Sequence, residues 1–261
     1  MPLLVAACAN GDEPKQAASA TPSAATSTDV LRLRARVVSS FPHDPQAFTQ
    51  GLLWFEGKLF ESTGMWGRSS VRRVDLGTGM VEKKVDLASS LFGEGLARVG
   101  GSLLQLTWQN GRAIRYDIES FDWLSEHAYD SEGWGLCHDG VDMWRSDGSS
   151  VLRIHDSTTF AEQGRVEVRL HGEPVEQLNE LECAEGWIYA NILGSDEIVR
   201  IDPGSGRVVA VVDASGLLAF DEGRAVGPLN GIAYRSEAQT FLLTGKQWPK
   251  LFEVVFVETP D

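Results

Sequence analysis

Basic side chains are scarce in this chain: 23 Lys and Arg stand against 37 Asp and Glu, a net charge of −14. Neutralising phosphates needs clustered cations, and no basic stripe occurs, so nucleic acid is excluded as a partner. Long apolar runs are also missing. No stretch reaches the roughly 18 apolar residues that a membrane-spanning helix requires, and no helix-period pattern of useful length is present. The five histidines (His43, His127, His138, His155 and His171) are scattered, with no H-E-x-x-H or other zinc spacing. His43, in FPHDP, is expected to order a loop rather than to bind metal. GEGLAR and GTGMVE each lack the third glycine of a dinucleotide fingerprint, and no G-x-S-x-G elbow occurs.

Cysteine is limited to three residues, Cys8, Cys137 and Cys183. Spacing alone neither requires nor forbids a bond between the last two, and the reading adopted is two small buried apolar side chains. Cys8 is different. It closes the run Val5-Ala6-Ala7-Cys8, which resembles the lipobox of bacterial lipoproteins, although no basic segment precedes it. Residues 9–28 are rich in Ala, Ser, Thr and Pro, a composition that cannot bury enough surface to fold and reads as a tether. The expected organisation is a lipobox-like start and tether over 1–28 and a folded domain over 29–261. The expected location is outside the cytoplasm, periplasmic or membrane-anchored, with the membrane reached only through lipid on Cys8.

What the chain does have is glycine (27 residues), tryptophan (8) and 43% apolar content, a mixture that suggests many short strands joined by tight turns. A repeat organises them. Gln50-Gly51-Leu52, Glu94-Gly95-Leu96, Trp134-Gly135-Leu136, Asn179-Glu180-Leu181 and Asn230-Gly231-Ile232 recur 40 to 51 residues apart. Each is followed by a turn and a second apolar run. Four of the five then carry a third strand with a shared ending: Arg73-Val74-Asp75, Arg115-Tyr116-Asp117, Arg153-Ile154-His155 and Arg200-Ile201-Asp202. Turn residues and an outer strand complete the unit, as in Val81–Asp86. Four short antiparallel strands at this period predict an all-β, five-bladed β-propeller. The fifth unit runs out after Leu251–Val257, while Leu33–Ser39 is a strand without a blade; ring closure therefore predicts that the N-terminal strand completes the last blade.

In such a ring the five repeated starts face one opening, and one of them is a carboxylate. Glu94 lies between two glycines at the head of an apolar strand, where an isolated charge would be costly unless the fold keeps a site for it.

FPHDPQAFTQGL (Phe41–Leu52), GEGL (Gly93–Leu96), TWQ (Thr107–Gln109), GWGL (Gly133–Leu136), LNELE (Leu178–Glu182) and TGKQWPKLFEV (Thr244–Val254) together resemble the plant-type glutaminyl cyclases. The resemblance spans nearly the whole folded chain. It implies a five-bladed propeller that turns the N-terminal glutamine of peptides into pyroglutamate with release of ammonia, using no cofactor and no metal, with a peptide as its partner and a monomer as its working unit. By resemblance, Glu94 is the catalytic acid and base, and Trp108 and Trp134 are aromatic walls. Gln50, Asn179 and Lys246 are polar contacts, Lys246 or an Asn serving as oxyanion donor, with Phe48 and Gln109 at the mouth. Leu193 stands where the family commonly has an aromatic residue. Two rivals follow. A non-catalytic propeller lipoprotein would bind peptides or a partner protein on the same face. A lactonase-like metal propeller would need several carboxylate ligands, whereas only Glu94, Asn179 and Asn230 are candidates.

Overall fold

The computed structural model describes residues 1–2, 29–218 and 226–259. Cys8 and the segment 9–28 lie outside the described residues. Among the described residues all regular elements are strands. Three four-stranded antiparallel sheets follow one another along the chain: β2 (Thr49–Phe55) to β5 (Val81–Asp86), β6 (Gly93–Val99) to β9 (Trp123–Ala128), and β10 (Leu136–His138) to β13 (Glu162–Glu167). A two-stranded hairpin, β14 (Arg169–Leu170) and β15 (Glu173–Pro174), precedes the last and largest sheet. That sheet has eight strands: β16 (Leu178–Ala184) to β19 (Val208–Asp213), then β1 (Leu31–Pro42), then β22 (Lys250–Glu258), β21 (Thr240–Gly245) and β20 (Leu229–Arg235).

The eight strands are two groups of four joined through β1. This strand pairs antiparallel with β22 from Leu33 to Pro42. Its first residues, Leu31–Arg34, also pair in parallel with Ala210–Asp213 of β19, a contact the repeat did not foretell.

The core has a cyclic order. Phe60 and Val71 of the first sheet share one apolar cluster with Leu103 and Ile114 of the second. Leu104 of the second packs with Leu136 and Met143 of the third, and Leu152 of the third with Leu181 and Val199 of the next group. Ile198 and Val212 then meet Leu243 and Val254, and Leu242 and Leu251 return to Leu52 and Leu59 of the first sheet. Each fully buried Leu, Val or Phe contributes about 1.5–3 kcal/mol, so these five seams hold the sheets face to face. First strands touch in the same order: β2 with β6, β6 with β10, β10 with β16, β16 with β20, and β20 with β2. The outermost strands β5, β9 and β13 are instead half solvated and carry Lys, Glu and Arg, which blunts their edges.

Two details explain the repeated tripeptides. The ladders of β2, β6, β16 and β20 each shift register at the repeat, between Thr49 and Gly51, Gly93 and Leu96, Leu178 and Leu181, and Leu229 and Ile232. A bulge of this kind re-aims a side chain, here Gln50, Glu94, Asn179 and Asn230. The glycine that follows lets adjacent strands touch: a Cβ on Gly95 would lie 2.5 Å from the Leu136 amide nitrogen, and one on Gly135 only 2.1 Å from the Asn179 carbonyl. In the fourth unit Glu180 takes the glycine's place. Its buried carboxylate accepts from the backbone N–H of Leu52 (3.1 Å) and of Ile232 (2.8 Å), pinning β16 to β2 and β20.

The cysteine reading is corrected. Cys137 and Cys183 are disulfide-bonded, with Cα atoms 5.4 Å apart, and tie β10 to β16. Their separation in sequence carried no signal because the ring, not the chain, makes them neighbours.

His43 orders a loop through charge. Glu61 is fully buried and accepts from Thr49 Oγ1 (2.6 Å), His43 Nε2 (3.1 Å) and Arg72 Nε (2.8 Å), while His43 Nδ1 donates to the Trp248 carbonyl (2.7 Å). Burial pushes the Glu61 carboxyl up, but Arg72 and His43 outweigh it and hold the pKa at about 2. Burial likewise lowers His43, and Glu61 more than reverses it, leaving the imidazole raised. The two act in opposite pH directions. Glu61 stabilises the fold above its ordinary 4.5, and that contribution is lost as pH falls toward about 2. His43 stabilises below 6.5 and its contribution is lost as pH rises through its raised value. Glu61→Gln, which strands two buried cations, is expected to cost about 3–5 kcal/mol in denaturant melts and to flatten the acid-side pH dependence; an unchanged midpoint would refute this.

Candidate active site

At one end of the ring the re-aimed side chains meet in a cavity of about 200 Å³. Gln50, Glu94, Trp134 and Asn179, four of the five repeated starts, line it. Asn230 does not. It sits one layer behind, fully buried, donating to the Thr49 carbonyl (3.0 Å) and to Gln50 Oε1 (3.3 Å), and so supports Gln50 from below. Phe48, Trp108 and Lys246 complete the residues expected from sequence. Gln109 is the exception, lying exposed at the rim outside the cavity lining. Phe92 and Leu193 are additional walls. Phe92 belongs to no repeated motif; only its place two residues before Glu94 hinted at it.

Glu94 is 4% exposed, and Gln50 Nε2 donates to its Oε1 at 2.9 Å. Burial drives its carboxyl well above the ordinary carboxylate range; the Lys246 charge pulls it down and the Glu132 charge pushes it further up. Lys246 is 6% exposed and depressed, chiefly by burial, with Glu94 opposing. Its ammonium stands 5.0 Å from the centre of the Phe48 ring, and its backbone N–H is held by the Pro228 carbonyl at 3.0 Å. The neighbouring Gln247 N–H bonds the Ala47 carbonyl (2.6 Å), which fastens this turn to the segment bearing Phe48.

The aromatic walls form a connected set. Phe92 packs edge-on against Phe48 (6.1 Å between centroids), Trp108 (5.6 Å) and Trp66 (5.6 Å). Both cavity indoles point their N–H groups at one carboxylate that the repeat gave no reason to choose, Glu132: Trp108 Nε1 donates at 2.6 Å and Trp134 Nε1 at 2.9 Å. Gln109 Nε2 donates to the other oxygen at 3.0 Å. Among the described residues no group of three His, Cys, Asp or Glu side chains gathers as a metal site, and Glu94 is the one carboxylate lining the cavity.

A family model described as glutamine cyclotransferase matches residues 5–256. The chain belongs to the glutamine cyclotransferase family. A glutaminyl-peptide cyclotransferase of Arabidopsis thaliana is 42% identical over 224 residues, which cover 84% of this chain and 70% of that protein. The crystal structure of Myxococcus xanthus glutaminyl cyclase superposes with a TM-score of 0.84 at 40% identity, covering 89% of this chain and all of that one. The glutamine cyclotransferase relationship thus spans the whole ring, including every segment that contributes to the cavity.

Proposed function

We propose that this chain is a glutaminyl-peptide cyclotransferase, closing the N-terminal glutamine of peptides to pyroglutamate with release of ammonia, on a five-bladed β-propeller. The cyclic order of first-strand contacts and the five apolar seams support the propeller reading. The observation that carries the activity is Glu94: a buried carboxyl with a raised pKa, bonded to Gln50, between two indole walls and in the field of Lys246. At about 200 Å³ the cavity is smaller than the roughly 300–1,000 Å³ of drug-sized sites and suits one side chain folded back on its own amine.

The α-amine attacks the side-chain carboxamide carbon, forming the ring C–N bond. Glu94 takes the proton that the attacking nitrogen gives up, then delivers it to the carboxamide nitrogen, which leaves as ammonia. No step calls on a metal or cofactor. Burial brings the Glu94 carboxyl closer to the amine in basicity than an ordinary carboxylate, which lowers the cost of moving the proton in either direction. The oxyanion of the tetrahedral intermediate is stabilised by Lys246 or by the Asn179 amide, both at the cavity wall. The indoles exclude water and hold the folded conformation. The decisive assay is incubation of the protein with a Gln-initiated peptide, followed by mass spectrometry for loss of one ammonia; an unaltered peptide would overturn the activity in favour of a binding-only propeller.

The same reading takes the protein as an exported, monomeric lipoprotein, supported by Val5-Ala6-Ala7-Cys8 and the composition of 9–28. Native protein is expected in the detergent phase after phase partition and at monomer mass by light scattering. Recovery in the aqueous phase with a free Cys8 thiol would refute the anchor.

A further inference from the structure

Resting on the cyclotransferase reading, we infer that Glu132 is a positioning residue of this pocket: its carboxylate holds both indole walls by their N–H groups and sets a negative charge behind the cavity that Glu94 lines. Oε2 accepts from Trp108 (2.6 Å), in the turn after β7, and from Trp134 (2.9 Å), in the segment before β10, and Oε1 accepts from Gln109 (3.0 Å). Hydrogen bonds to an ionised acceptor are roughly twice as strong as neutral ones. One side chain therefore fixes the planes of two rings that would otherwise turn about their own side-chain torsions.

Glu132 is itself braced from behind. The guanidinium of Arg145, fully buried, donates to the Glu132 carbonyl, to Ser131 Oγ (3.2 Å) and to the Asp130 carbonyl (3.1 Å), and lies over the Tyr129 ring at 4.6 Å. The next residue, Gly133, donates its N–H to the Trp108 carbonyl (3.0 Å), tying this loop to the strand end that carries the first indole. A surface carboxylate that merely tied off a loop would not need a buried arginine behind it and two pocket walls in front.

The charge has a second consequence. The ionisable groups acting on Glu94 are Lys246, which favours its anion, Glu132, which disfavours it, and Tyr129, coupled to it more weakly. The side-chain donors to Glu132 are all neutral, so they satisfy its oxygens without cancelling its charge. Partial burial raises Glu132, but its bonds from Gln109, Trp134 and Trp108 outweigh this and keep it below the ordinary carboxylate range, against a smaller push from Asp147. Its anion is thus favoured over that of an ordinary carboxylate. Its charge disfavours a second anion at Glu94, which helps keep that carboxyl ready to exchange a proton with an amine.

The test uses the full chain and Glu132→Gln, which retains a carbonyl oxygen for the indoles but removes the charge. Indole N–H resonances, assigned with Trp108→Phe and Trp134→Phe, should both move upfield in the variant. On a Gln-initiated peptide kcat/KM should fall about 10- to 100-fold, the scale of a misplaced reacting group, and its acid limb should move to lower pH as Glu94 ionises more easily. Combining Glu132→Gln with Trp108→Phe should cost less than the product of the two single effects, because both break one bond. Unmoved indole resonances, or a parental kcat/KM with an unmoved acid limb, would overturn the inference. The resonances read the clamp without turnover, so an inactive parent protein with shifting resonances would fault the cyclotransferase reading and not the clamp.

Discussion

Glu94→Gln should fold normally and lose about 10²–10⁴ of its turnover, the usual contribution of general acid–base catalysis. The amide matches the carboxyl in size and can still accept from Gln50, so the cavity keeps its shape. What disappears is the group that takes a proton from one nitrogen and returns it to another. Peptide affinity should change far less, because the indoles, Asn179 and Lys246 remain. The pH profile provides the second reading. In the parent protein kcat/KM should fall on acidification through two ionisations, the substrate amine at about 7.7–8.0 and Glu94 at its raised value, since attack needs a neutral amine and proton removal needs an ionised carboxyl. The variant should retain the amine's limb alone. A folded Glu94→Gln protein with parental turnover would remove both the mechanism and this carboxyl from the assignment.

The second large effect is on stability. A chain beginning at residue 41 should lose cooperative unfolding, whereas one beginning at residue 29 serves as the intact reference. The missing strand is mostly solvent-facing, and Leu33 is its one buried apolar side chain, so little of the loss is hydrophobic. It comes from the ladder. β1 satisfies β22 along nearly its full length and bridges to β19 through Leu31–Arg34. At a net ~0.5–1.5 kcal/mol per hydrogen bond, the ladder amounts to several kcal/mol, a large part of the roughly 5–15 kcal/mol that separates folded from unfolded domains. It also leaves the β22 edge open to pairing with another molecule. Equal melting temperatures for the two chains would show that β1 does not close the ring.

How much of this was legible in the sequence follows from what a repeat can and cannot encode. The recurring tripeptides marked the first strand of every unit, because four of the five starts sit at a bulge and four of the five are followed by a close-packed glycine, and they brought Gln50, Glu94, Trp134 and Asn179 to one cavity. Asn230 obeyed the same rule but fell a layer deeper, behind Gln50. Features made by the ring alone stayed hidden. Cys137 and Cys183 become neighbours only when β10 lies beside β16, and Glu132 stands two residues before its repeated start, where the other units carry Phe48, Phe92, Gln177 and Pro228 and the residue type does not repeat. Gln109 was placed in the mouth by resemblance, yet it turns to Glu132 at the rim; its function is read from its partner. Leu193 does line the cavity, leaving an aliphatic wall where the resemblance supplied an aromatic one.

The pairing of β1 with β22 also bears on the order of events during synthesis. Among the described strands, the first to leave the ribosome has the last as its partner. Until that partner emerges, β1 has at most the four-residue parallel contact with β19 to rest on. Sheets from β2 to β13 can form as they are made, since their pairings are local. Closure cannot. It must await β22 and then join segments far apart in sequence, the kind of distant pairing that slows folding. The nascent protein is therefore an open arc with a free end until β22 has been made.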